Sequence, residues 1–415
     1  MKNIDNKRAV ISWALYDWAN SAYATTVMAG FFPIFYKQYW TANEATTTST
    51  FQLGIGNAIS SLVIVLCAPL FGAIADVGRF KKKFLVSFAA IGIVATSMLY
   101  WVGKGEWAAA VSLYCAATIG FMGANVFYDA LILNVSNVQN RDVVSALGFA
   151  LGYLGGGLLF SVNVAMTLSP ESFGLQDAAD AVRVSFISVA LWWALFSVPL
   201  LLFVHDVGNK VPVSLTRAVG QGTRQVMQTF QHIRGLRPVL FFLLAYWLYI
   251  DGVDTIVRMA VDYGLSIGFE QQHLIVALLI TQFIGFPAAI AFGYLGQRLG
   301  TKNGIFVGLG VYVFVTVWAY FMDVVWEFYL LAAIIGLVQG GVQSLSRSLY
   351  ADIIPAAQAA EFFGFYNMMG KSAALLGPLL VGATVMATHN HRLGILSLLV
   401  FFIAGGFFLI KTRHE

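Results

Sequence analysis

Long apolar runs separated by short polar breaks follow one another along the whole chain of 415 residues. Twelve of these runs can each cross a bilayer, since a membrane helix needs about 20 mostly apolar residues. The runs are continuous and lack the two-residue alternation of membrane-barrel strands, so we predict helices, whose backbone groups are satisfied within the segment. The predicted spans are 10–36, 51–75, 84–103, 107–133, 143–168, 182–205, 238–263, 272–296, 303–322, 326–350, 362–387 and 392–411.

The composition supports a chain that has lipid as its solvent. Hydrophobic residues make up 59% and charged residues 11%, whereas a soluble domain carries roughly 25% charged residues. The breaks between the spans leave no room for a soluble catalytic domain. The first run, from Val10 to about Tyr36, contains Asp17 and Asn20 and has no clear cleavage site. We therefore interpret this run as a retained first span and not as a signal peptide.

The lysines and arginines predict the orientation of the chain. If both termini are cytoplasmic, most of the 24 basic residues fall in cytoplasmic segments, as the positive-inside rule requires. We therefore expect a multi-pass protein of the cell inner (cytoplasmic) membrane with both ends inside. The few basic residues left on the outside are Lys37, Lys104, Arg183 and Arg392.

The two halves of the chain resemble each other. Span 1 carries Asp17 followed by Asn20-Ser21, and span 7 carries Asp251 followed by Asp254-Thr255. In addition, Gly148-Phe149 of span 5 recurs as Gly364-Phe365 of span 11. Parallel six-helix repeats are typical of one large transporter architecture. We therefore predict an N-terminal six-helix bundle over 1–206, a cytoplasmic linker over 207–237 and a C-terminal six-helix bundle over 238–415.

Ionisable residues inside a membrane span are costly, so each is a candidate functional residue. Most of them fall on spans 1, 4, 7 and 10, the first and fourth helices of each half, which line the cavity in a six-plus-six transporter. Together with nearby polar side chains they form the predicted site for substrate binding or proton coupling. Its members are Asp17, Asn20, Tyr23, Asn125, Asp129, Asp251, Asp254, Arg258, Arg347 and Lys371.

Span 7 carries four charged residues along one helix face. Asp251, Asp254, Arg258 and Asp262 follow one another at intervals of three or four residues, which places them on one side of a helix. Arg258 can pair with Asp254 or with Asp262. We interpret Asp251 and Asp254 as functional, and the Arg258–Asp262 pair near the outer end as structural.

Asp17 and Arg347 each allow two interpretations. Asp17 has no opposite charge within a turn of its helix, so it suits an exchangeable proton site. Alternatively, Arg347 or Lys371 neutralises it across the cavity as a gate between the halves. Arg347 suits a carboxylate or phosphate of a substrate, or else it pairs with Asp129 or Asp352.

The sequence shows no arrangement of residues that is typical of an enzyme active site or of a metal site. The six histidines lie at span ends or in loops, and no nucleophile is accompanied by a base. We therefore expect no enzymatic activity, no cofactor and no metal. The expected partners are the bilayer, a small-molecule substrate and a coupling proton. We expect a monomer and no nucleic-acid partner.

Three segments resemble a known family. The segment with Gly72, Asp76, Gly78 and Arg79 resembles the signature gating loop between the second and third helices of the major facilitator superfamily, with one residue fewer between Asp and Gly. The opening Trp-Ala-Leu-Tyr-Asp-Trp-Ala-Asn-Ser-Ala, residues 13–22, is similar to the major facilitator family that includes the autophagy-related vacuolar amino-acid effluxers. The stretch 340–348 resembles that family as well. The resemblance implies the twelve-helix major facilitator fold and a gradient-driven carrier, and its eukaryotic members suggest an amino-acid substrate.

The favoured hypothesis is a secondary active transporter. It would move a small polar solute, such as an amino acid, by alternating access of the central site to the two sides of the membrane. A lipid or lysophospholipid carrier is the alternative substrate class. A membrane sensor that does not transport is the alternative from another class, and it would require an appended signalling domain.

Overall fold

Every regular element of the described residues is a helix. The computed structural model describes residues 7–42, 46–206, 215–232, 236–266, 269–373 and 376–412. Twelve membrane helices coincide with the twelve predicted runs. They are α1 (Lys7–Ala22, continued to Trp40), α2 (Thr46–Gly78), α3 (Lys81–Met98), α4 (Trp107–Ala130), α5 (Arg141–Leu168), α6 (Ala178–Phe203), α7 (Arg237–Ser266), α8 (Gln271–Leu299), α9 (Thr301–Phe321), α10 (Val325–Ile353), α11 (Ala359–Ala373 and Leu376–Thr388) and α12 (His391–Leu396 and Leu399–Lys411).

Helix α1 departs from regular α-helical geometry. Within the described residues, ten helices are long and apolar enough to cross a membrane, and α1 and α11 complete the twelve. After Ala22, α1 continues as π-helical turns over Tyr23–Phe31 and Tyr36–Trp40. Such turns are rare and are frequent at functional sites. The described segments of α11 are Ala359–Ala373 and Leu376–Thr388, and residues 374–375 between them lie outside the described part.

The helices form two six-helix bundles, α1–α6 and α7–α12. In the first, α1 packs on α5 and α6, and α3 packs on α4; in the second, α8 packs on α10, and α7 packs on α12. The bundles meet along a seam where α2 contacts α11 and α5 contacts α8. The predicted fold of twelve helices in two bundles is therefore confirmed.

The first and the last described residues lie at the same end of the molecule, which we call the terminal end. The guanidinium of Arg8 lies 3.7 Å from the ring centroid of Phe203, at the end of α6. The Lys302 ammonium, at the start of α9, donates to the carbonyl of Thr412 at 2.8 Å. The short connections after α2, α4, α8 and α10 belong to this end as well. We call the opposite end, with the connection between α3 and α4, the distal end.

One additional helix, which we call the linker helix, spans Leu215–His232 between the two bundles. It falls within the predicted linker 207–237, of which residues 207–214 and 233–235 lie outside the described part. Its buried face comprises Ala218, Gly222 and Thr229, spaced by four and seven residues. This face packs against α2.

The α2–α11 contact is a close crossing of small residues. A Cβ atom built on Gly72 of α2 would lie 2.2 Å from the carbonyl oxygen of Ala360, and one built on Gly364 of α11 would lie 2.6 Å from that of Ala68. Each helix thus contributes two small residues spaced by four, a pattern that lets membrane helices approach closely. The two backbones touch at the terminal end of the seam.

Candidate functional site

A large cavity lies between the two bundles and has a volume of about 470 Å³. At its inner end it is lined by Asp17, Asp129 and Arg347. From there it extends to Met322 and Phe328, next to the connection between α9 and α10 at the distal end. Its volume falls within the range of small-molecule sites, about 300–1,000 Å³.

Arg347 of α10 forms the floor of the cavity and is almost fully buried. Its Nη1 atom lies 3.1 Å from Oδ1 of Asp129 and 3.6 Å from Oδ2 of Asp17. Its Nε donates to Oγ of Ser145 at 2.9 Å, and its Nη2 donates to the carbonyl of Ser145 at 2.8 Å. An arginine of the C-terminal bundle is thus bound by three residues of the N-terminal bundle. Of the alternatives for Arg347, the geometry agrees with the pair with Asp129, whereas Asp352 pairs with Arg141.

Asp129 is held by two donors from the other bundle. While Oδ1 faces Arg347, Oδ2 accepts a hydrogen bond from Nδ2 of Asn367 in α11 at 3.1 Å. The sequence did not identify Asn367 as a site residue. Candidates were recognised by the free-energy cost of burying a charge in a membrane span, and Asn367 is uncharged. The match of Gly148-Phe149 with Gly364-Phe365 marked the right stretch of α11, but it did not single out this residue.

Asp17 contacts the floor from α1. The hydroxyl of Tyr128 donates to its Oδ2 at 3.0 Å, and Arg347 lies beyond at 3.6 Å. Aromatic rings surround the guanidinium, with centroids 4.8 Å away for Trp13, 5.4 Å for Tyr128 and 4.4 Å for Phe149. Cation–π contacts of this kind add to the ion pairs, because ring faces stabilise a desolvated cation. Two carboxylates therefore share one arginine in a site shielded by rings.

Two amides line the cavity beside this charged floor. Nδ2 of Asn20 donates to Oδ1 of Asn125 at 2.6 Å, which joins α1 to α4. Both residues were predicted as site residues, and both line the cavity. Their side-chain amides offer a polar solute both hydrogen-bond donors and acceptors, without adding charge.

The structure places two predicted site residues, Tyr23 and Asp251, outside the lining of this cavity. Tyr23 is fully buried inside the N-terminal bundle, and its hydroxyl is 2.8 Å from Oγ1 of Thr118. Asp251 is 1% exposed, and its Oδ1 accepts the backbone N–H of Gly377 at 2.9 Å. Asp251 thereby joins α7 to the start of the second segment of α11. Its carboxylate thus satisfies one backbone N–H in the first turn of the Leu376–Thr388 segment.

The remaining charges of α7 and α11 are only partly described. Asp254 lines the cavity, as predicted from its spacing. The side chains of Arg258, Asp262 and Lys371 lie outside the described part of the structure, so their predicted roles and pairings remain predictions. Within the described residues, no cluster of three His, Cys, Asp or Glu residues has the geometry of a metal site.

The segment predicted as a gating loop is mostly helical and lies in the seam. Gly72, Asp76 and Gly78 belong to the last turns of α2, because this helix continues to Gly78; of the four residues, only Arg79 lies beyond it. The Asp76 carboxylate accepts the backbone N–H groups of Ala360 and Glu361 at 3.1 and 2.9 Å. It thus binds the N-terminus of α11, where the helix leaves backbone donors unpaired and anions are favoured.

Further contacts close the terminal end. Arg141 of α5 forms an ion pair with Asp352 at the end of α10. Oγ1 of Thr301 donates to Oδ2 of Asp142 at 2.9 Å, and Nε2 of Gln297 donates to the carbonyl of Gln139 at 2.7 Å. Each of these contacts joins the N-terminal bundle to the C-terminal bundle. The cavity is therefore sealed at the terminal end and extends toward the distal end.

Sequence comparisons agree with this architecture. The family model described as "Vacuole effluxer Atg22 like" matches residues 39–414. An uncharacterized MFS-type transporter, YxiO of Bacillus subtilis, is 38% identical over 408 residues, which cover 97% of this chain and 94% of the relative. Autophagy-related protein 22 of Saccharomyces cerevisiae is 24% identical over 82% of this chain and 72% of its own length.

Solved structures share the fold at low sequence identity. The proton:xylose symporter XylE superposes with a TM-score of 0.70 at 13% identity, covering 98% of this chain and 94% of its own. FucP, described in the outward conformation, gives 0.70 at 10% identity, with coverage of 99% and 100%. The human organic anion transporter MFSD10 gives 0.71 at 14% identity, with coverage of 97% and 99%. With its twelve helices, its central cavity and these relatives, the chain belongs to the Atg22-like family of major facilitator transporters.

Proposed function

We propose that this transporter is a secondary carrier that moves a small polar solute through the membrane by alternating access. The observation that carries the proposal is the position of Arg347. It joins the two bundles through Asp129 and Asp17 at the sealed end of the cavity. A carrier must couple the occupancy of its binding site to the separation of its two bundles. The ion pairs of Arg347 lie where the cavity meets the interface between the bundles.

The proposed substrate site is the inner part of the cavity. Asn20, Asn125 and Asp254 supply polar contacts, and Asp17 lines the same cavity and faces Arg347. An amino acid or a similar metabolite suits this combination of carboxylates and amides, since it carries an ammonium group and hydrogen-bonding groups. The vacuole effluxers that give the family its description favour export, and they support the proposal only by similarity.

Proton coupling is the second part of the proposal. Arg347 can balance the charge of one carboxylate, whereas Asp129 and Asp17 both approach it. Binding a proton at one of them would leave a single ion pair, and this is the exchange that a proton-driven carrier requires. The match to a protein described as a proton:xylose symporter is consistent with this step.

The proposed topology follows the charge distribution. The terminal end would face the cytoplasm of a cell inner membrane, because it carries most of the lysines and arginines, and the cavity would then face outward. The proposed units are 1–206 and 238–415, joined by 207–237, and a monomer is sufficient because the cavity lies within one chain.

A lipid or lysophospholipid carrier is the second candidate, and one observation favours it. A separate apolar cluster of the C-terminal bundle, with Val315, Met322, Phe328 and Leu331, lines the distal part of the cavity. Such a wall would accept an acyl chain, while the charged floor would bind a headgroup.

The test is a thermal-shift screen of the purified protein, followed by flux into proteoliposomes. We expect zwitterionic metabolites such as amino acids to raise the melting temperature, and the best of them to be transported. Stabilisation by lysophospholipids alone would favour the second candidate. Flux that does not respond to an imposed pH gradient would contradict proton coupling.

A further inference from the structure

The linker helix contacts both sides of the seam. Its backbone is seated on α2 of the N-terminal bundle, because a Cβ atom on Gly222 would lie 2.9 Å from the backbone nitrogen of Ile74. Ala218, one turn earlier, is fully buried in the same face. Small residues at these positions let the helix approach α2 closely, so the linker helix is fixed to the N-terminal bundle.

Two polar side chains of the same face reach the other bundle. Nε2 of Gln225 donates to Oε2 of Glu361, at the start of α11, at 2.5 Å. Thr229, which is 8% exposed, is buried beside the same carboxylate, which also accepts a hydrogen bond from Nε2 of Gln358 at 3.3 Å. Glu361 is fully buried, and none of the ion pairs of the described residues includes it. Its carboxylate therefore depends on neutral donors, of which Gln225 belongs to the linker helix.

The backbone of Glu361 is also bound to α2, since the Glu361 N–H donates to the Asp76 carboxylate at 2.9 Å. The start of α11 is thus bound on two sides, by α2 through the main chain and by the linker helix through the side chain. If α2 and α11 separate at the terminal end, Gln225 and Thr229 remain with α2 and lose Glu361. A buried carboxylate that loses its donors is destabilised unless water replaces them.

From these contacts we propose that the linker helix is a latch that stabilises the state closed at the terminal end. The latch acts through Gln225 and Thr229 on Glu361, in addition to the α2–α11 crossing. This inference rests on the proposed alternating access. Because a hydrogen bond to a charged group contributes about 1.5–3 kcal/mol, loss of Gln225 should raise the ratio of open to closed molecules at least about tenfold.

The test measures the distance between two spin labels at the terminal end. The labels replace Val138, which is 69% exposed between α4 and α5, and the exposed Asn303 at the start of α9. Cys67 and Cys115 are first replaced by Ala. The full chain is compared in detergent with the variants Gln225→Ala and Thr229→Val. The matched control is Gln221→Ala, which makes the same change at an exposed position of the same helix.

We expect both latch variants to populate a longer distance, and Gln221→Ala to match the parent. If Gln225→Ala and Thr229→Val both keep the parent distribution, the latch is refuted. The variant Asp76→Asn separates this result from a failure of the proposed function. A longer distance in Asp76→Asn alone would show that the terminal end opens without being controlled by the linker helix. No longer distance in any variant would refute both the latch and alternating access.

Discussion

Arg347 combines several interactions that a lysine could not provide together. Its planar guanidinium places three nitrogens against Asp129, Asp17 and Ser145 at once. A single ammonium has one nitrogen and no flat face for the surrounding rings. Because the group is 2% exposed, water cannot replace any contact that is lost. The stability of the closed floor therefore depends on this one side chain.

Replacing Arg347 with Ala should lower the free energy of unfolding by about 3–5 kcal/mol, since it leaves a buried carboxylate without its cation. A fall in the melting temperature of the purified protein measures the effect. Adding Asp129→Asn should recover part of the loss, because it removes the charge left unpaired. The control is Arg392→Ala, whose partner Asp323 has a side chain 73% exposed, so that little change is expected. Equal losses in both single variants would contradict this account.

Replacing Asp17 with Asn tests the exchangeable proton. The amide keeps the shape of the side chain and can still accept the Tyr128 hydroxyl, but it cannot release a proton. We expect flux driven by a pH gradient to be lost while exchange of the same solute across the membrane persists. The solute is the one that gives the largest shift in the thermal screen. The variant Asp323→Asn, the same change at an exposed position, should retain both activities. Gradient-driven flux that survives in Asp17→Asn would remove this residue from the coupling mechanism.

At the scale of the helices, the seam contains two different kinds of contact. The α2–α11 crossing brings backbone against backbone at Gly72 and Gly364. Where α5 meets α8 and α10, the ring of Tyr153 on α5 instead fills the space beside two glycines. A Cβ atom built on Gly285 would lie 3.0 Å from this ring, and one built on Gly340 would lie 2.6 Å from it. Small residues therefore define both contacts, but only the first brings main chain against main chain.

Replacing Gly364 with Ala should open the terminal end of the seam, because the new methyl group would overlap the backbone at Ala68. We expect a lower melting temperature and a longer distance between spin labels at Val138 and Asn303. The matched control is Gly54→Ala on α2, where a Cβ atom meets nothing within 4 Å. Alanine stabilises a helix relative to glycine by about 0.5–1 kcal/mol, so this control should be neutral or stabilising. An unchanged distance in Gly364→Ala would contradict the close crossing.

At the scale of the molecule, the closed terminal end and the cavity reaching the distal end would be one of the two states of the proposed carrier. Contacts that join the bundles gather at one end, from Asp76 on α2 to Asp352 at the end of α10. The other proposed state would break these contacts, and their number means that no single variant should suffice to trap it completely.

The proposed orientation predicts which end is accessible from outside the cell. A cysteine at Phe173, which is 48% exposed at the distal end, should react with a membrane-impermeant maleimide in intact cells. A cysteine at Val138, which is 69% exposed at the terminal end, should react only after permeabilisation. Both are introduced after Cys67 and Cys115 are replaced. The reverse pattern of labelling would invert the proposed topology.

The fold could be predicted from the sequence because lipid requires every span to be a long apolar helix. Long apolar runs are directly visible in the sequence. Buried charge likewise identified Asp17, Asp129, Asp254 and Arg347 as lining the cavity. The cost of burial does not reveal which way a side chain points. For that reason Asp251, which satisfies a backbone group of α11, could not be distinguished from Asp254. Uncharged partners such as Asn367 and Gln225 cannot be identified in this way, because they bury no charge.

The small-residue crossing of α2 and α11 has a consequence for selectivity. When these helices part, the surface uncovered includes the carbonyl oxygens of Ala68 and Ala360 and the carboxylates of Asp76 and Glu361. A solute leaving by this route would pass main-chain oxygens beside two carboxylates. The exit would then favour solutes that carry hydrogen-bond donors.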